Sequence, residues 1–487
     1  MISPSLHPAP VRAAFEPRRR WAFGFTPRSI TLLLIGFVGL VPGFWDYRLA
    51  YSMLAWDGLV LLFSILDGLR LPAARELVAV RTWSNAPALD SDTEIELTIE
   101  NNSHLIVDCR LVDDLPPALV ALPATHRLTA FPRVPASLRY KVQPQERGDW
   151  QTGWLYLRYR SGLGLAECWA RAPITQTVRV YPALRTGEEQ QIFLARSRQI
   201  DLQLRQARLR GLGRDFDSLR EYREGDDLRD ICWTATARRG DLITRQYQTE
   251  RSQAVWIVLD CGRLMRSRVA IAEGAGGFNP RISPKEANRA SAPEKTATPP
   301  HSKLDYACTT AVALAQLALF SGDRVGLLAY GATIQQRLLP GRGAAHLRQL
   351  IEALSLVHAE SGEADHLRAT ATLNRLQPRR SLILWITDLA ESAMRPEVID
   401  GAMQHLRRHV QLFVAMAQPE VEAIAQARPQ SVDQMFRAAA AQEMAGRREL
   451  LLARLHERGA LTLDLNPEAL TSSVLNQYLT VKERAMV

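Results

Sequence analysis

The sequence has few cysteines, and none of them forms a paired motif. Its five cysteines are Cys109, Cys168, Cys232, Cys261 and Cys308, and no two stand in a C-x-x-C pair. This odd, dispersed set predicts neither a disulfide framework nor a zinc site, and it favours a reducing compartment. A Walker A loop, a dinucleotide-binding fingerprint and a nucleophile elbow are also missing from the sequence, so no catalytic residue is predicted.

A strong excess of one charge is missing as well. Apolar residues make up 47% of the 487 residues and charged residues 23%, which is ordinary for a globular protein of two to four domains. The net charge is +9, and the first 29 residues hold five Arg against one Glu. The remaining positive charge is too dilute to predict a nucleic-acid partner.

Long apolar runs occur only near the N-terminus. Residues 30–45 and 49–66 are two such runs, and a membrane span needs about 20 apolar residues. We predict a two-helix transmembrane hairpin at 30–70, with Asp57 protonated, paired or turned inward. A cleaved signal peptide and a buried core hairpin are the alternatives.

Arginines on both sides of the hairpin predict its orientation. Five precede it in the basic segment 1–29, three follow it at Arg70, Arg75 and Arg81, and only Arg48 lies in the turn. By the positive-inside rule, both termini and the soluble domains face the cytoplasm, at the cytoplasmic (inner) membrane. The lipid bilayer is therefore an expected partner.

Short alternating segments follow at 75–184. Residues 93–101 follow a period of two, and 105–112, 136–142, 153–160 and 177–181 also have strand character, separated by Pro and Gly. This spacing predicts an immunoglobulin-like β-sandwich, without the Cys and Trp core of antibody domains. A spacer or docking module is the expected role.

The segment 185–251 combines a Gln- and Arg-rich linker with a densely charged stretch. In that stretch, Arg, Asp and Glu are interleaved with large apolar residues. Four interpretations remain open from these residues: a catalytic constellation, an anion site, a protein-docking surface, or structural ion pairs.

The string LREYREGDDLRDICWTATARRGDL at 219–242 resembles the hallmark of the bacterial family called domain of unknown function 58. Two positions depart from the family pattern: Cys232 stands where Asp is usual, and Thr236 where Ser is usual. The resemblance extends over about 30–420 and implies a partner-binding role for seven residues. They are Arg220, Tyr222, Gly225, Asp226, Arg229, Trp233 and Arg238.

Alternating strands and helices fill 252–487 and predict an α/β domain with a doubly wound, mainly parallel sheet. Two buried strands, 254–260 and 381–388, end in Asp260 and Asp388. These strand ends resemble parts of the metal-ion-dependent adhesion site of von Willebrand factor A domains, so a von Willebrand factor A-like fold is expected. Residues 267–302, rich in Ala, Gly, Pro, Ser and Lys, are predicted to be a disordered insertion.

The metal motif itself is degenerate. Its two serine positions hold Gly262 and Leu264, although Glu360 and Asp365 could supply other oxygen ligands. We therefore expect no firm cofactor, with Mg²⁺ at the two strand-end aspartates as a possibility. The alternative is that both aspartates accept hydrogen bonds from loop amides.

The expected function is a membrane-tethered, cytoplasm-facing interaction module. The family resemblance implies a MoxR-type AAA+ ATPase, or its client protein, as partner in protein assembly or maturation. We expect the charged segment and the α/β domain to dock it. The alternatives are a metal-dependent enzyme using Asp226, Asp260 and Asp388, and a purely structural membrane scaffold.

Overall fold

The chain is a mixed α/β protein of two compact units, Met1–Ala183 and Leu184–Val487, seen in a computed structural model. The described residues are 8–17, 23–39, 41, 51–119, 124–160, 163–183, 192–197, 199, 215–223, 228–248, 253–269, 301–388 and 408–484.

The first unit consists of antiparallel strands and two apolar helices. The strands are β1 Val11–Ala14, β2 Glu16–Pro17, β3 Phe23–Phe25, β4 Leu77–Trp83, β5 Thr93–Asn101, β6 Val107–Asp113, β7 Thr125–Ala130, β8 Ala136–Val142, β9 Gly148–Gln151, β10 Leu155–Arg160, β11 Ala166–Ala172 and β12 Thr177–Val180. The helices are α1 Pro27–Gly36 and α2 Tyr51–Arg70. One sheet has the order β1-β4-β5-β8, a second has the order β2-β11-β10-β6-β7 with β3 also on β11, and β12 pairs with β9.

Alternation decides which face of each strand is buried. In β4, β5 and β6 every second side chain is buried, and these inner faces share one apolar core. Period-two burial is what a strand with one covered face requires. The strand predicted at 93–101 is present with the same bounds.

Residues that precede the apolar helices also belong to these sheets. β1 pairs with β4, with Val11 opposite Arg81, and β3 pairs with β11. Phe15 is buried in the core of the unit. The sequence predicted only a basic segment at 1–29, because strands of two to four residues carry too little periodicity to be recognised.

Among the described residues, one helix is long and apolar enough to cross a membrane. This is α2, with 20 residues and mostly exposed apolar side chains. α1 has ten residues and continues only as a 3₁₀ turn at Phe37–Gly39. At 1.5 Å per residue, α1 is about 15 Å long, half of the roughly 30 Å hydrocarbon core of a bilayer. A first spanning helix at 30–45 is therefore not supported, and residues 42–50 lie outside the described residues.

The polar ends of α1 and α2 are tied to the loop before β11. Thr26, the N-cap of α1, donates its hydroxyl to the Gly164 carbonyl oxygen at 2.6 Å. Asp67, in the last turn of α2, accepts hydrogen bonds from the Leu165 and Ala166 amides at 3.0 and 3.1 Å. These bonds fix the base of the helix pair on the β-sheet.

A buried arginine links the two larger sheets of this unit. Arg81 of β4 is fully buried and forms an ion pair with Asp113 at the end of β6. Its Nη1 also donates to Thr152 Oγ1 at 2.8 Å and to the Ile174 carbonyl oxygen at 3.0 Å. Tyr140 donates its hydroxyl to Asp113. The charges are thus paired and hydrogen-bonded, as burial demands.

Replacing Arg81 by Met should destabilise the first unit by about 3–5 kcal/mol, because Asp113 would stay buried without its cation. Hydrogen exchange of the full chain in detergent, read by mass spectrometry, should show lost amide protection in β4 and β6. The matched control is Arg139→Met, whose pair with Glu96 is exposed and contributes at most about 1 kcal/mol. Equal protection in the two variants would contradict this assignment.

The second unit alternates strands and helices. Its strands are β13 Asp215–Glu221, β14 Ile243–Gln248, β15 Ala254–Asp260, β16 Arg268–Val269, β17 His301–Ser302, β18 Arg324–Tyr330, β19 Ile334–Gly341, β20 Leu382–Thr387, β21 Val410–Met416 and β22 Leu461–Leu465. Its helices are α3 Trp233–Arg239, α4 Lys303–Phe320, α5 Gly343–Leu356, α6 His366–Leu376, α7 Pro419–Gln426, α8 Val432–Glu457 and α9 Leu470–Glu483.

A six-stranded sheet organises this unit, in the order β19-β18-β15-β20-β21-β22. All pairings are parallel except that of β19 with β18. β15 and β20 are buried along their whole length, which explains their unbroken apolar sequences. The mainly parallel sheet agrees with the alternation of strands and helices in the sequence.

The ends of the predicted insertion at 267–302 are ordered strands. β16 pairs with β17 in antiparallel register, with Val269 opposite His301, and both side chains are buried. The expectation of disorder is therefore wrong at these two ends, because backbone pairing closes the base of the segment. Residues 270–300 lie outside the described residues.

Candidate functional site

Two buried aspartates meet at the carboxyl edge of the six-stranded sheet. Asp260 is the last residue of β15, and Asp388 directly follows the neighbouring parallel strand β20. Because parallel strands end at the same edge, a position typical of ligand sites in α/β sheets, the sequence-predicted pair is brought together. Both side chains are almost completely buried.

Asp260 is held by groups of its own strand end and of β20. Its Oδ1 accepts a hydrogen bond from the Gly262 amide at 2.7 Å, and its Oδ2 accepts one from the Thr387 hydroxyl at 2.6 Å. Burial raises the pKa of Asp260, and the nearby Asp388 charge adds to that rise, while His366 and the two hydrogen bonds oppose it.

Asp388 is held by side chains of two other elements. Its Oδ2 accepts hydrogen bonds from Nζ of Lys303 and from Nε2 of Gln418, both at 2.6 Å. The side chains of Lys303 and Asp388 are 4% and 0% exposed, so this is a buried ion pair. Asp260 thus bonds a loop amide as one interpretation expected, whereas Asp388 bonds an ammonium and a side-chain amide.

Lys303 reaches this position because of how α4 begins. Ser302 caps the helix by accepting from the Asp305 amide, and the Asp305 carboxylate accepts from the Ser302 amide in return. The Lys303 amide donates to the Ser267 carbonyl oxygen at 3.0 Å, beside the β16–β17 pair. Sequence reasoning did not predict this residue. Its one signal was a lysine at the first position of a mostly apolar helix.

The residues present do not fit a magnesium ion. Gly262 stands where the metal motif has serine and supplies no hydroxyl, and an added Cβ would be in tight contact, 3.0 Å from the Ala364 amide nitrogen. Glu360 accepts instead from the Ala332 amide and Gln335, and Asp365 caps α6. Within the described ranges, no group of three His, Cys, Asp or Glu side chains is placed to hold a metal.

The charged segment folds as a strand pair with a short helix between its strands. β13 and β14 are antiparallel, and α3 precedes β14. Ile231 and Cys232 are buried, and the Cys232 amide donates to the Ile243 carbonyl oxygen at 2.8 Å. Cys232 is the N-cap of α3 but makes no side-chain capping bond, a role that the Asp of the family pattern is suited to fill.

The partner-binding residues predicted from the motif are placed unequally. Trp233 is 67% exposed at the start of α3, and Arg238 is exposed in its last turn. Arg220 and Tyr222 are partly buried around the end of β13, and Arg229 lies in the 3₁₀ turn Leu228–Asp230. Gly225 and Asp226 lie outside the described residues. Sequence reasoning missed three exposed apolar side chains around them: Leu219, Leu228 and Leu242.

Comparison with known families and structures gives one family match. The family described as "Protein of unknown function DUF58" matches residues 218–269 and 289–427. No curated protein matches the sequence.

Similar solved structures have low scores. The conserved hypothetical protein BatB from Bacteroides thetaiotaomicron is 14% identical, with 48% of this chain and all of that chain covered, at a TM-score of 0.27. A beta-glucosidase from Listeria innocua is 12% identical over 22% of this chain and 16% of its own, at a TM-score of 0.12. A Niemann-Pick type C2 protein from the Japanese carpenter ant is 6% identical, with 20% of this chain and 78% of that chain covered, at a TM-score of 0.12. No function is taken from these proteins.

Asp260→Asn should gain stability relative to the wild type as the pH rises. The pKa of Asp260 is raised in the folded chain above its ordinary value of 3.8, so above that value the folded wild type holds a proton that the unfolded chain has lost. Wild-type stability then falls with pH, by at most about 1.4 kcal/mol per pH unit, until the folded pKa is passed. Urea unfolding of both chains across acidic and neutral pH measures the difference. A difference that does not change with pH would contradict the raised pKa.

Proposed function

We propose that this chain, whose C-terminal region belongs to the DUF58 family, is a membrane-anchored module that docks a partner protein at the cytoplasmic face. The docking surface is the exposed part of the family motif, residues 219–242. The partner that the family resemblance suggests is a MoxR-type AAA+ ATPase or its client. The observation that carries the proposal is the exposure of both Trp233 and Arg238 on the short helix α3.

Pairing of β1 and β3 with later strands supports a hairpin anchor. β1 and β3 precede α1, whereas their partners β4 and β11 follow α2. The two flanks therefore lie on one side of any bilayer that the helices enter, and the chain crosses it an even number of times or not at all. The predicted hairpin at 30–70, in which α2 is the one described helix long enough to cross, satisfies this requirement when both flanks lie on the arginine-rich, cytoplasmic side.

The exposed apolar surface of α2 supports insertion in lipid. Large side chains such as Leu62, Phe63 and Leu69 are about half or more exposed in the isolated chain. Of its two aspartates, Asp57 is half-buried, and Asp67 accepts hydrogen bonds from backbone amides of the loop before β11. The Trp56 indole donates to the Leu32 carbonyl oxygen of α1 at 2.9 Å, which holds the two helices together.

The composition of the motif surface supports protein docking over catalysis. Tryptophan and arginine are the residues that most often dominate protein interfaces, and Trp233 and Arg238 are both exposed on one short helix. Leu228 and Leu242 add exposed apolar area on either side of that helix in the sequence. By contrast, Asp260 and Asp388 are buried and already hydrogen-bonded, so they are poorly placed to act on a substrate.

Trp233→Ala should weaken binding to a purified MoxR-type AAA+ ATPase of the same organism by at least about 30-fold, if Trp233 is a hot spot of the interface. The single variant Arg238→Ala should also weaken this binding. Biolayer interferometry with the full chain in lipid nanodiscs measures the affinity.

Phe436→Ala is the matched control, because Phe436 is as exposed as Trp233, at 68% against 67%, but lies on α8. It should leave the affinity unchanged. Equal binding by the wild type and Trp233→Ala would exclude this surface as the dock. Absence of binding by the wild type itself would favour a structural scaffold.

A further inference from the structure

The carboxyl edge of the six-stranded sheet carries two buried carboxyl groups and a third that is half exposed. Asp260 and Asp388 are buried on adjacent strand ends, and the half-exposed Asp464 of β22 is close enough for the Asp388 charge to raise its pKa further, after burial. An unpaired carboxylate is costly to bury, so such a cluster needs compensating cations. Arg448 of α8 forms an ion pair with Asp464.

We infer that the Lys303 ammonium supplies the remaining cation, in the place that a divalent metal takes at adhesion-type sites, so that this edge of the sheet is metal-independent. Nζ of Lys303 lies 2.6 Å from Oδ2 of Asp388, and both side chains are buried. Gln418 donates to the same oxygen from the residue before α7. The ion pair therefore joins the start of α4, the end of β20 and the loop before α7.

Several features that a metal would need have been replaced. Gly262 carries no hydroxyl, a Cβ there would be in tight contact with Ala364 at 3.0–3.1 Å, and the Leu264 side chain supplies no oxygen. The Thr387 hydroxyl, which is an oxygen ligand by chemistry, donates its hydrogen to Asp260. An internal ammonium needs only one strong carboxylate partner, whereas Mg²⁺ demands near-ideal octahedral oxygen coordination.

The presence of an internal ammonium in place of a metal ion determines how this edge of the sheet can bind a partner. A bound metal with an open position attracts a carboxylate from a partner. Here Asp388 neutralises the ammonium inside the protein, and neither group is exposed. The inference goes beyond the proposed docking function and does not depend on it, because its tests read folding and metal binding of the chain alone.

Lys303→Met should lower the midpoint of thermal unfolding of the full chain in detergent by roughly 5–8 °C, because the buried Asp388 carboxylate would lose the ammonium that lies 2.6 Å from its Oδ2. The double variant Lys303→Met/Asp388→Asn should recover at least half of that loss, because it removes both charges of the pair. Lys141→Met is the matched control: Lys141 pairs with Asp92 at an exposed site, and its removal should leave the midpoint unchanged. An unchanged midpoint in Lys303→Met would overturn the inference.

A metal titration of the wild type provides the second measurement, which holds even if Lys303→Met fails to fold. The unfolding midpoint should be the same in EDTA, in excess MgCl₂ and in excess MnCl₂. The electron paramagnetic resonance signal of free Mn²⁺ should not decrease when the chain is added. A midpoint raised by either metal, or one Mn²⁺ bound per chain and lost in Asp388→Asn, would overturn the inference.

Discussion

The buried ion pair between Lys303 and Asp388 is the interaction on which the second unit depends. A parallel sheet brings its strand ends to one edge, and here two of those ends carry carboxylates. The cost of burying them is met by a cation and hydrogen-bond donors from α4, β20 and the loop before α7. Three elements distant in sequence are thereby fixed at the same edge.

The first unit follows the same physical rule with other residues. Arg81 and Asp113 are buried between its larger sheets and are satisfied by hydroxyl and carbonyl groups of further segments. Asp67 is satisfied by two backbone amides and fixes the end of the apolar helix α2. In both units, buried charge selects which segments lie together, while apolar area provides most of the stabilisation.

The elements predicted correctly from the sequence are those that have a clear periodicity or an unbroken apolar run. The buried strands β15 and β20 and their terminal aspartates were expected where they are found, because a strand covered on both faces needs an unbroken apolar run. Lys303 was not predicted, because it lies 85 residues from Asp388 and its burial depends on tertiary structure. The short strands β1 to β3 were missed for the same reason: their pairing partners, not their own composition, make them strands.

The motif at 219–242 shows the limit of a family resemblance. Its pattern does not distinguish Ile231 and Cys232, which are buried, from Trp233 and Arg238, which are exposed. That division comes from the backbone bonds between the start of α3 and β14, which turn one side of the helix start inward. Docking is therefore assigned to the exposed residues, and the buried ones support the fold.

The most direct test of the internal cation is a crystal structure of the full chain soaked in MnCl₂, with data collected at the manganese absorption edge. We expect no anomalous peak within bonding distance of Asp388, and Nζ of Lys303 in place on its Oδ2. A peak coordinated by Asp260 and Asp388, with the Lys303 side chain displaced, would contradict a metal-independent site.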